Sequence, residues 1–274
     1  MNIVDRVNLR TMRSSAAVNT YARLDNAMMP SETAVLARLA EEARGKPILD
    51  IGVGGGRTVA ALKAISNDYL GIDNSPEMVA ACKRRFPDTR FELADARKLS
   101  ALSDESIYLA VFSCNGIGMV SHEDRLQILR QIHRVLQPGG AFVITTHNQN
   151  SPAHDAGFQF PQLRLTLNPL RMMVRLSRFL RFTVVAGFNR IRLRRHEVRT
   201  AEYSILNDMS HDYNTMLYYI SLENQRLQLE RAGFSMNAEA YDQDGALITT
   251  DSTDVSLALI ARKPGAAEAA RRRD

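Results

Sequence analysis

Short apolar runs alternate with helical stripes through the first half of this chain. Ile48-Leu49-Asp50-Ile51 is a strand-like run that passes straight into the turn Gly52-Val53-Gly54-Gly55-Gly56, and Thr58 to Ser66 then has helical spacing. The order repeats with strand Tyr69 to Ile72, helix Pro76 to Phe86, strands Arg90 to Leu93 and Ile107 to Phe112, helix Arg125 to Leu136 and strand Ala141 to Thr146. Asn74 or Ser75 caps the second of these helices, with Pro76 at its first position, and Pro138-Gly139-Gly140 stops the third. Strands alternating with short helices predict a mostly parallel sheet with helices on both faces.

The flanks follow a different pattern. Residues 1–45 read as a helical lead-in, in which Pro30-Ser31-Glu32 opens a helix capped by Ser31 and Val35, Leu36 and Leu39 form its apolar stripe. The core runs over 46–148. From 149 to 206 the strand–helix rhythm lapses, which predicts an inserted cap. Within it Arg171, Arg175 and Arg178 share one helix face and Met172, Leu176 and Phe179 the next, whereas Phe188 to Arg199 alternates as an extended arm would. Residues 207–262 return to the core through a helix, Leu222 to Ala232, ended by Gly233, and the strands Ser235 to Tyr241 and Val255 to Ala261. The Ala- and Arg-rich stretch 263–274 has no apolar period and is expected to be disordered.

Composition narrows the class. Of 274 residues, 45% are hydrophobic and 24% charged, which are ordinary globular proportions. No apolar run approaches the roughly 20 residues of a membrane span, and Met1 to Arg13 lacks a secretory apolar stretch. Cys82 and Cys114 offer neither a disulfide framework nor metal-ligand spacing, so a cytoplasmic setting is expected. The net charge of +5 is unevenly spread. Ten arginines and one acid lie between 161 and 200, a local +9, leaving 25 basic against 29 acidic residues elsewhere, or −4.

Candidate chemistry gathers where the strands end, the edge at which open α/β sheets bind ligands. The glycines fall as G-x-G-x-G, with Arg57 where a dinucleotide fingerprint would continue, so a nucleotide turn and a plain tight turn both remain open. About twenty residues on, Gly71-Ile72-Asp73 places a carboxylate suited to a ribose, followed by Asn74. Ala94-Asp95-Ala96 follows the third strand, and Ser113-Cys114-Asn115-Gly116 the fourth.

Together these motifs resemble the class I S-adenosylmethionine-dependent methyltransferases, with a core of the type 11/25 kind. Ile48 to Arg57 is similar to the family's first motif, Leu70 to Met78 to the second, Phe91 to Leu99 to the third, and Leu136 to Gly140 to the loop before the fifth strand. The resemblance spans Tyr21 to His147 and resumes at Tyr218 to Phe234. It implies a seven-stranded, mostly parallel Rossmann-like α/β sheet and S-adenosyl-L-methionine as cofactor. Carried over by position, the Gly52 to Gly54 backbone would flank the methionine part and Asp50 would face its amino group. Asp73 and Asn74 would take the ribose and Met78 would pack on the adenine. Asp95 and the Ala96 amide would read the adenine edge, with Ser113 and Asn115 completing the site. Tyr21 either closes over the cofactor or is an ordinary half-buried aromatic.

A general base is needed only if the acceptor must lose a proton. The candidates are His147, at the end of the fifth strand, and His211, between Asp208 and Asp212. They favour an oxygen acceptor, and the arginine-rich insert suggests a small or medium-sized anionic one bound beneath it. The same insert could instead contact a membrane or a second subunit. Nucleic acid is disfavoured, because few aromatics interleave the arginines and no N/D-P-P-Y/F-type motif follows the fourth strand. A non-catalytic cofactor-binding module and a methyltransferase for lipid or RNA are the alternatives. No metal site is expected, Asp242 and Asp244 being the one acidic pair worth noting.

Overall fold

The computed structural model describes residues 2–23, 28–160, 165–236 and 238–265. Arg164 of the insert and positions 266–274 of the expected disordered tail lie outside the described residues. Lys263, at the start of that tail, is ordered: its amide donates to the Gly140 carbonyl at 3.0 Å, and its carbonyl accepts from Gly139.

The lead-in forms three helices, α1 (Ile3–Met12), α2 (Ser15–Arg23) and α3 (Pro30–Leu39). Ser31 is not the cap of α3. Met29 holds that place, with its amide donating to Glu32 Oε2 at 3.0 Å, and Ser31 is buried within the first turn. The core then runs β1 (Ile48–Ile51), α4 (Val59–Ile65), β2 (Tyr69–Asp73), α5 (Pro76–Arg85), β3 (Phe91–Leu93), β4 (Ile107–Phe112), α6 (His122–Val135) and β5 (Leu136–Asn148). Ser75, rather than Asn74, caps α5, its hydroxyl accepting from the Met78 amide at 3.2 Å.

Strands β3, β2, β1, β4 and β5 lie side by side in parallel. The apolar side chains of one face pack with α6, through Ile128, Leu129 and Ile132, and those of the other with α3, α4 and α5, through Val35, Leu39, Leu62 and Val79. The expected seven mostly parallel strands are a correction, because the sheet is mixed and has eleven strands among the described residues. β11 (Ser256–Arg262) runs antiparallel to β5, and β9 (Glu239–Tyr241) and β10 (Leu247–Ile248) follow it. On its other side β5 outlasts β4, and His147 and Asn148 pair in parallel with β8 (Thr215–Ile220). β8 in turn carries β7 (Ser204–Asp208) and β6 (Val198–Arg199) antiparallel.

The insert is also corrected. One helix, α7, runs over Pro169–Arg194, so Phe188 to Arg194 is helical instead of an extended arm. The chain returns through β6 and β7 to the single turn α8 (Ser210–Tyr213), and α9 (Leu222–Arg231), capped by Ser221, is the last helix among the described residues. α1, α7, β7 and β8 share a small core of Val4, Leu193, Ile205, Met216, Tyr218 and Ile220.

Candidate active site

β1 delivers the chain into the glycine turn, where Gly52, Gly54 and Gly56 take φ of 65°, 54° and 83°, the left-handed region that a side chain resists. Gly55 answers a different need. A Cβ there would lie 2.1 Å from the Tyr21 carbonyl oxygen, so α2 sits directly on the turn. Arg57, next along, donates to Glu32 Oε1 at 2.7 Å, and the same Oε1 accepts the Cys114 amide at 3.0 Å. This ion pair ties the turn to α3 and to the loop after β4.

Asp73 closes β2. Its Oδ2 accepts the Gly54 amide at 2.9 Å and its Oδ1 the Ser75 amide at 2.8 Å. Burial pushes the carboxyl up, against the amides of Ser75, Gly54 and Asn74, which favour the charged form. A carboxylate has about four acceptor sites, so with these amides in place the group can still accept from a neighbouring hydroxyl. Asp95 follows β3, gripped by Arg97, whose Nε is 2.9 Å from Oδ1 and whose second terminal nitrogen is 2.6 Å from Oδ2. Burial, which raises the Asp95 carboxyl, is outweighed by these bonds, which hold it below its ordinary value. Arg97 also meets Asp124 at 2.7 Å and approaches Asp5 Oδ2 at 4.0 Å. Burial, with the Asp124 hydrogen bond adding to it, pushes Asp5 up to about 6.

Arg57, Asp73, Asp95, Arg97 and Asp5 line one open cleft with the glycine turn. Of the residues expected from sequence, Tyr21, Gly52, Gly54, Asp73, Asn74, Met78, Asp95, Ala96 and Ser113 are on its wall. Asp50 is not. It is fully buried beneath the turn, accepting from Thr58 Oγ1 at 2.6 Å and the Tyr69 hydroxyl at 2.8 Å, and burial lifts its carboxyl to about 6. Asn115 is also absent from the wall, its amide donating to Thr145 Oγ1 at 2.7 Å within a left-handed turn.

Neither histidine lines the cleft. His147 is held in β5 between β8 and β11, its ring 5.1 Å from that of Tyr219. Burial pushes its imidazole down to about 4, so the ring is neutral at pH 7. The His211 ring centroid lies 6.0 Å from that of the wall residue Tyr21. Burial lowers its pKa more than Asp212 and Asp208 raise it. The Asp208 carboxylate is committed elsewhere, to the Ser210 amide at 2.7 Å and the Tyr219 hydroxyl at 2.8 Å.

No described residue of the insert lines this cleft. No described arginine between 165 and 199 is on its wall, and α1 supplies Asp5, Asn8, Leu9 and Met12 instead. These four were not singled out from sequence, although Val4, Asn8 and Thr11 recur at helical spacing. Asp242, the other noted acid, closes its own turn by accepting from the Asp244 and Ala246 amides at 3.1 and 2.8 Å.

Comparison with known proteins places this geometry. Residues 48–140 match the family model of a methyltransferase domain. A demethylmenaquinone methyltransferase of Chlorobaculum parvum is 34% identical over 111 residues, 39% of this chain and 44% of that protein. A trans-aconitate 2-methyltransferase of Delftia acidovorans is 27% identical over 126 residues, 45% of this chain and 46% of that protein. The matched part thus spans less than half the length of these relatives. Among solved structures, the CcbJ methyltransferase of Streptomyces caelestis has a TM-score of 0.59 at 16% identity, over 90% of this chain and 96% of that one. The Burkholderia thailandensis 1,6-didemethyltoxoflavin-N1-methyltransferase, solved with 1,6-didemethyltoxoflavin and S-adenosylhomocysteine, has a TM-score of 0.55 at 15% identity, over 93% and 88%. Residues 48–140 thus match a methyltransferase domain, and the chain as a whole shares the fold of these solved methyltransferases.

Proposed function

We propose that this chain is an S-adenosylmethionine-dependent methyltransferase acting on a small or medium-sized acceptor. The observation that carries the reading is Asp73, a carboxylate on the cleft wall at the end of β2, fixed by the Ser75 amide and by the Gly54 amide of the glycine turn beside it. The donor set fits the cofactor. Asp73 would hold the ribose hydroxyls with Asn74 beside it. Met78 and Ile72 offer apolar surface for the adenine, and Asp95, oriented by Arg97, with the Ala96 amide would read its edge. The Gly52–Gly54 backbone would flank the methionine part, while Tyr21 on α2 closes that end. The cofactor brings an activated methyl group, so the protein's work is alignment and exclusion of water.

Oxygen is the favoured acceptor atom, with His211, whose ring centroid lies 6.0 Å from that of the wall residue Tyr21, and His147, at the end of β5, as the candidate bases. Both are displaced toward the neutral form, the state that can receive a proton. The insert arginines do not support an anionic acceptor, because those described stay off the cleft. A screen with labelled methyl donor against small acids, phenols, sugars, lipids and RNA tests the reading. We expect transfer to an acceptor bearing a hydroxyl group. In His211→Asn, kcat should fall about a hundredfold, within the range ascribed to general bases, with KM for the donor unchanged. Donor binding without transfer to any class would instead mark a non-catalytic module.

A further inference from the structure

α7 leaves one side uncovered. Its inward residues Ala186, Asn189 and Leu193 are buried, and the Asn189 amide nitrogen donates to the Asp212 carbonyl at 3.0 Å. Outward, Leu170, Met173, Leu180, Val184 and Ile191 are between 53% and 81% exposed. With Ser177 and Gly187 they occupy positions spaced by alternating threes and fours, which keeps them on one line for about 32 Å of helix. At 3.6 residues per turn, Arg181 borders this line on one side and Arg194 on the other, Arg195 at the helix end falls on the line itself, and all three are exposed. The helix contains no aspartate or glutamate.

An apolar stripe of this length needs a partner, and the charge selects which. A second copy laid along it would set arginine against arginine. An anionic lipid surface satisfies both features at once, apolar side chains entering the headgroup boundary and arginines meeting phosphates. We propose that α7 docks flat on an anionic bilayer and holds the protein there. No described helix is long and apolar enough to cross a membrane, so the contact is with the surface. The inference stands independently of the proposed catalysis.

Co-sedimentation with vesicles of phosphatidylcholine, alone or mixed with phosphatidylglycerol, tests it. The protein should partition onto the mixed vesicles only, and less as NaCl rises. Arg181→Gln, Arg194→Gln and Arg195→Gln combined should weaken partitioning about a hundredfold, each charge near an anionic surface contributing about fivefold. Leu180→Asp with Val184→Asp should abolish it while the circular dichroism spectrum and melting temperature stay unchanged. Equal binding to both vesicle types, or none to either, overturns the proposal. So does a dimer that dissociates on the Leu180 and Val184 substitutions while the wild type ignores lipid, which would assign the stripe to a second copy.

Discussion

Asp5, Asp50 and His147 are held outside their ordinary titration ranges by burial, and the signs oppose one another. The two carboxyls, raised to about 6, contribute stability at low pH that is lost as pH rises through that value. His147, lowered from 6.5 to about 4, does the reverse: as pH falls below 6.5 the unfolded chain takes up a proton that the folded ring resists. Comparing wild type with His147→Gln cancels the carboxyls. Between pH 6.5 and 4 the wild type should lose up to about 3 kcal/mol relative to the variant in urea denaturation. Superimposable pH profiles would mean the folded ring is hydrated. Asp73 and Asp95 were legible in sequence because each follows a strand whose end defines the binding edge. Asp50 was read one layer too high, since strand alternation alone does not show that its carboxylate turns down to Thr58 and Tyr69.

Among the elements, α1 is the wall that sequence patterning disguised. Its inward residues are Val4, Asp5, Asn8 and Thr11, so its buried face is largely polar and the helix shows little apolar stripe. Asn8 works as a clasp, donating to the carbonyls of Met119 and Met216 at 2.7 Å each and accepting the Met216 amide at 2.9 Å. Asn8→Ala would strand those buried partners and should cost about 2–4 kcal/mol. Hydrogen exchange should show α1 opening ahead of the sheet, and unchanged α1 protection would remove its role as a wall. The far half of α7 misled for another reason. Arg190, Ile191, Arg192, Leu193 and Arg194 alternate as strand residues do, yet in the helix Leu193 is buried while Ile191 is 81% exposed. Two apolar residues on opposite sides of a helix mimic a period of two. Gly187 did not break the helix, costing only about 1 kcal/mol relative to alanine.

Across the whole molecule, charge and chemistry are separated. The matched methyltransferase domain positions carboxylates and backbone amides around the cleft, whereas the basic stretch is carried on a helix whose outer face remains bare. The parallel half of the sheet was legible because its strands and helices alternate in sequence. The antiparallel additions were not, since β8 joins β5 only where β4 has ended, a contact between residues far apart in the chain. The proposed methyl transfer depends on the cleft being a cofactor site, and calorimetric titration with S-adenosylmethionine addresses that directly. Saturable one-to-one binding is expected, weakened about ten- to a hundredfold in Asp73→Ala by loss of hydrogen bonds to a charged acceptor. No binding to the wild type, or equal affinity in a folded Asp73→Ala variant, would contradict it.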